Sequence, residues 1–264
     1  MSFSSFAESQ GDFVLGWSGL STAQKILCAY GALMALVLLP TLALSWVDER
    51  TLREVGIWAK PMKFMAATAL FAWTTVWLTR LVPGKVGQGQ SFQWITGLII
   101  VTSLFEVVYI SHQAAMGEGS HYNTSDPVRA ILFGLMAVAA VGLVASQAWL
   151  AWVIWRALGA AVLTPTLWAV LCGLVLTFVL STVSGFMLGG RQAPAGVGLP
   201  VVGWHAWQDV RPAHFLAVHA QQFIPLAGIL AERVAGQAAM PVVQTFVSIY
   251  IAAWLGLSWM GMAA

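Results

Sequence analysis

"LIIVTSLFEVVYISHQ", residues 98 to 113, decides the class of this protein. The run is too long for an ordinary strand and shows no alternation of period two, so it reads as a helix. Extended to 93–115, it has the length of about 20 mainly apolar residues that a bilayer core requires. A backbone in lipid must pair its own polar groups, which again selects the helix. Yet Glu106 lies well inside the run. A carboxylate there must be protonated, paired or turned towards a polar cavity.

Working outward, six further stretches have the same character: 25–46, 61–82, 128–155, 166–189, 213–232 and 239–261. Only 8% of the 264 residues are charged, against about 25% in soluble domains. The expected fold is therefore all-α, a polytopic membrane bundle of about seven transmembrane helices. Residues 23–264 would form that single domain. Residues 1–22 contain Glu8 and Asp12 but no Lys or Arg, which does not match a cleaved secretory signal. They read as a short polar tail with an interfacial helix around Phe13 to Leu20. The net charge of +2 and the lack of a basic run exclude nucleic acid as a partner. Cys28 and Cys172 fall in apolar runs and read as small buried hydrophobes.

The connections differ on the two sides. On one side, 81–92, 156–165 and 233–238 are short. On the other, 47–60, 116–127 and 190–212 are longer and carry both signs of charge. The second side has seven basic residues against five, a count that by itself makes it cytoplasmic, but it also has six acids. Weighing uncompensated charge instead, the expectation is a cytoplasmic amino terminus. "SDPVRA" and "DVRPAH" offer Asp126 with Pro127 and Asp209 with Pro212 as helix starts. Trp46, Trp58, Trp155, Trp204 and Trp207 fall at run ends, as an interfacial belt would.

All five histidines, His112, His121, His205, His214 and His219, lie on the second side or in helix ends that reach it. At about 100° per residue, Glu106, Tyr109 and Gln113 share a face, and His112 points elsewhere. In "DVRPAHFLAVHAQQF", residues 209 to 223, His214 aligns with Gln221 and His219 with Gln222. The two histidines diverge by about 140°, so one helix does not chelate a metal with both. There is no H-E-x-x-H, C-x-x-C or C-x-x-C-H. What remains is a haem or a transition metal ion held between helices by His112, His214 and His219. Lys60, Lys63, Arg191 and Arg211, with Gln221 and Gln222, would bind its anionic and polar groups. Glu106, His121 and Asp209 are the candidate acid–base residues. Ser181, Thr182 and Ser184 read as helix-packing residues first.

Three segments, Lys60 to Phe64, Ser120 to Asn123 and Asp209 to Gln222, together resemble a family of uncharacterised bacterial multi-span membrane proteins. The resemblance covers about 60 to 220. It implies a bacterial plasma membrane and joint use of these positions, and no particular reaction. The leading expectation is a haem- or metal-binding redox protein acting on a small-molecule or quinone-like substrate. Alternatives are a proton-coupled transporter of a small solute, and a sensor or subunit that needs a partner membrane protein.

Overall fold

The structure is a computed structural model that describes residues 17–159, 162–189, 191–199 and 203–263. Seven long helices make up these residues: α1 (Thr22–Val47), α2 (Ala59–Leu81), α3 (Gln90–Ala115), α4 (Pro127–Leu158), α5 (Pro165–Gly189), α6 (Arg211–Val234) and α7 (Ala239–Met262). The protein is an all-α membrane bundle. Six of the helices, all but α2, are long and apolar enough to cross a bilayer. The expected interfacial helix is a 3-10 turn at Trp17–Gly19 within the described residues, and its start lies outside them.

The starts follow from capping chemistry. Ser21 accepts from the Gln24 amide while the Gln24 side chain accepts from Ser21 N, a complete capping box on α1 worth about 1 kcal/mol. Asp126 caps α4 ahead of Pro127. Between α1 and α2 the chain forms a two-stranded hairpin, β1 (Thr51–Leu52) and β2 (Val55–Gly56). Its two turn residues, Arg53 and Glu54, both have positive φ (52° and 66°), the geometry that matches the strand twist in a two-residue hairpin.

Helix α2 departs from the lipid-facing pattern for a physical reason. Met65, Ala69, Ala72 and Val76 are buried on one of its faces, and Phe71, Thr74, Thr75 and Leu78 on the opposite one. It packs on α1, α3 and α5, so protein rather than lipid surrounds most of it and polar side chains are tolerated. It still runs the height of the bundle. At one end Trp58 Nε1 donates to Asp48 Oδ2 (2.8 Å) beside the end of α1. At the other, Gln24 Nε2 at the start of α1 donates to Thr79 Oγ1 (2.9 Å).

Sequence neighbours pack antiparallel, and α5 against α6 is the most extensive pairing. Ala169, Ala217 and Ala220 are fully buried there, and two glycines set the spacing. A Cβ on Gly228 would lie 2.5 Å from Ala169 Cβ, and one on Gly173 would lie 3.0 Å from the Ala220 carbonyl oxygen. Glu232 closes the same pair by accepting from Thr166 N (3.1 Å) and Thr166 Oγ1 (2.7 Å). A carboxylate at the start of α5 also complements the helix dipole. Gly228→Leu is therefore expected to cost about 1–3 kcal/mol of stability by overpacking, read as a lower melting temperature in detergent. Gly256→Leu, where a Cβ meets nothing within 4 Å, should leave it unchanged.

Candidate functional site

The ends of α1, α3, α5 and α7 and the starts of α2, α4 and α6 meet at one end of the bundle, together with the described residues of the three richer connections. Most arginines there tie the backbone together. Arg50 pairs with Asp48 and donates to the Ala115 carbonyl at the end of α3 (3.1 Å). Arg129 holds Glu118 and Asp126. Arg53 donates to Ala193 O (2.5 Å). Arg191 donates to Met262 O (2.9 Å) and so caps α7. Arg50 and the Trp58 indole hold the Asp48 carboxyl far below the usual carboxylate range.

Asp209 is the latch of the last connection. Its carboxylate accepts from His205 N (2.8 Å), Arg211 N (3.0 Å) and the Arg211 guanidinium (2.6 and 2.8 Å). Burial pushes its pKa up, but Arg211 and the two backbone donors outweigh that and keep it below the ordinary value. Arg211 also donates to Gly203 O (2.8 Å). Lys63 sits beside this group, with Arg211 and Asp209 acting on its charge. The geometry places Asp209 and Arg211 as a tie at the mouth of α6, and Arg191 outside on the end of α7.

Inside this rim lies an ordered polar chain. Lys60 Nζ donates to Ser120 Oγ (2.9 Å), and Ser120 Oγ is 3.2 Å from His121 Nδ1. A hydroxyl that accepts from an ammonium keeps its own proton to give, so the contacts run Lys60 to Ser120 to His121. His121 is packed edge-on to Phe64 and at a tilt to Tyr122 and Phe133. It also lines an open cleft of about 410 Å³ with Arg53, Glu118, Asn123 and Gln192. Tyr122 closes one side by donating to the carbonyls of Leu188 and Arg191. On the inner side, Lys60 acts electrostatically on Glu106.

Glu106 is 7% exposed and shares the inward face of α3 with Tyr109 and Gln113. Among the described residues its carboxyl makes no salt bridge and no hydrogen bond. One turn away, Tyr30 OH and Ser103 Oγ are hydrogen-bonded (2.8 Å). His112 lies on the exposed face of α3. His214 and His219 do diverge on α6. His214 Nδ1 meets Ser184 Oγ of α5 (2.9 Å), while His219 lies against Phe215 at a tilt (centroids 4.2 Å apart) and interacts with Gln222. Ser184 Oγ donates its one proton to Leu180 O (2.7 Å). It must therefore accept from His214, which puts the His214 proton on Nδ1 and leaves the lone pair on Nε2. Gln222 Nε2 donates to Thr74 Oγ1 of α2 (3.1 Å), and Gln221 is fully buried.

The structure thus brings Lys60, Glu106 and His121 together, joins His214 to α5, and sets His112 apart. Among the described residues no three His, Cys, Asp or Glu side chains converge as a metal-binding group. Sequence reasoning takes Ser184 for a helix-packing residue, and Ser120 enters it only through its place beside His121 in the segment Ser120 to Asn123. For Ser120 the adjacent His121 is a signal, but for Ser184 only the α5–α6 register reveals the histidine partner. No family model, curated protein or solved structure matches the chain.

Burial, helped by the Lys60 ammonium, pushes His121 down to about 3. The folded protein therefore binds fewer protons than the unfolded chain between that value and the ordinary His pKa of about 6.5. Stability from the neutral imidazole is complete above about 6.5 and falls as the pH drops towards 3. His121→Phe should flatten this part of the stability–pH curve, measured by thermal melts from neutral to acid pH. An unchanged slope would contradict the burial of a neutral His121.

Proposed function

We propose that this integral membrane protein is a proton-linked carrier of a small solute, with Glu106 as its interior proton-binding group. The observation that carries the reading is the series Glu106, Lys60, Ser120, His121. It leads from a buried carboxyl without a hydrogen bond to a cleft open at one end of the bundle. A buried ionisable pair in a membrane span is costly, and proton relays are its usual use. A carboxyl with no fixed donor exchanges a proton more readily than one locked in a salt bridge. Lys60 tunes that exchange by its charge, and Ser120 and His121 join it to water. On this reading the membrane is a bacterial plasma membrane, with the amino terminus cytoplasmic and the cleft on the opposite face.

A second reading, a haem- or metal-binding redox protein, is favoured by one observation. Ser184 fixes His214 through Nδ1 and leaves Nε2 free, the arrangement by which ligating histidines are oriented. His214 would then be a ligand, and Lys63 and Arg211 the anion-binding groups near it. This reading predicts a Soret band or stoichiometric metal in the purified protein, lost in His214→Ala.

The carrier reading is tested in proteoliposomes that enclose a pH-sensitive dye. An external acid pulse should acidify vesicles holding the wild-type protein faster than empty ones. Glu106→Gln should slow that rate at least tenfold, about 1.4 kcal/mol in barrier, and Lys60→Met should shift its pH dependence. Equal rates for Glu106→Gln and wild type would overturn the assignment.

A further inference from the structure

Polar atoms that are buried without a hydrogen bond concentrate around α5 to α7. Ser181 Oγ, Trp254 Nε1, Ser258 Oγ and both side-chain atoms of Gln221 are among them. Gln221 matters most because it is 0% exposed and near the middle of α6. An amide with neither its oxygen nor its nitrogen satisfied is costly anywhere and more so in a bilayer.

The backbone at the same place is also opened. Pro225 has no N–H, so it cannot donate to the carbonyl of Gln221 four residues earlier. The Gln221 N–H is bonded sideways to Thr177 Oγ1 of α5 (2.9 Å). Ser184 meets His214 and Thr177 meets Gln221, so the helices run antiparallel in constant register. That register sets Ser181 opposite Ala217, between the two contacts, and both are buried while the Ser181 hydroxyl has no hydrogen-bond partner. One seam therefore holds an unsatisfied amide side chain, a carbonyl released from the helix ladder and an unsatisfied hydroxyl. His214 stands at its outer end.

We propose that this break in α6 is a binding site for a small uncharged molecule carrying both hydrogen-bond donors and acceptors, of the amide or alcohol class. Gln221 offers two donors and an acceptor, the freed carbonyl a further acceptor, and Ser181 a hydroxyl. None of these groups is charged, and together they offer both donors and acceptors, which matches an uncharged molecule carrying both kinds of group. Interrupted helices near the bilayer middle expose backbone groups where they line a cavity. The assignment rests on the carrier reading, for which it names the solute class.

The test is a thermal melt of the purified full-length protein in detergent, titrated with acetamide and with ethylene glycol. At least one probe should raise the wild-type melting temperature in a saturable way. Gln221→Leu should abolish that rise, and Ser181→Ala, the milder change, should weaken the probe's apparent affinity severalfold. No saturable shift in the wild type, or the same shift in Gln221→Leu, would overturn the site. No proton gradient is present in this experiment. A failure here leaves the Glu106 assignment standing, and a failed acid pulse leaves probe binding intact.

Discussion

Inside a bilayer every hydrogen-bonding group must find its partner within the protein, because lipid offers none. That constraint explains why α1 and α3 are joined by Tyr30 and Ser103, why Thr41, Thr75, Thr102 and Ser184 donate back to their own helices, and why Thr177 reaches across to Gln221. Against that background the groups left over stand out, Glu106 and Gln221 among them. Glu106 lacks a hydrogen bond, and the Gln221 amide lacks both of its partners.

The division of labour among the charges follows from where water is available. At the outer rim, arginines neutralise Asp48, Glu118, Asp126 and Asp209 and close the ends of α3 and α7. A guanidinium suits this work, since it forks to two acceptors and keeps its charge. The lysine that reaches inward, Lys60, presents a compact charge to Ser120 and Glu106 instead. The rim is thus a frame, and the interior pair is what it holds in place. Close packing of α5 on α6 through Gly173 and Gly228 gives the second polar seam its fixed register.

Much of the fold was legible because apolar length and capping are local properties. The α4 start at Asp126 and Pro127 could be read directly from the chain, and so could the inward α3 face of Glu106, Tyr109 and Gln113, from helical geometry alone. The site was less legible. The chain offers Asp209 and Arg211 as acid–base and anion-binding candidates, but that they bind each other and the loop backbone is seen only in the structure. A sequence displays charge but not the distance between charges.

The sequence by itself determined an all-α membrane bundle and the end of it where ionisable groups gather, because both depend on which residues occupy each stretch. Only the tertiary structure decided which groups meet. It turned His112 outward, linked His121 to Lys60 through Ser120, and gave His214 to Ser184. It also surrounded α2 with protein, which lets a less apolar helix run the height of the bundle. The physical reason is that helix formation is set by neighbours along the chain, whereas a hydrogen bond between helices requires ångström-level register. That register comes from the packing of residues far apart in sequence, such as Gly173 against Ala220 and Gly228 against Ala169.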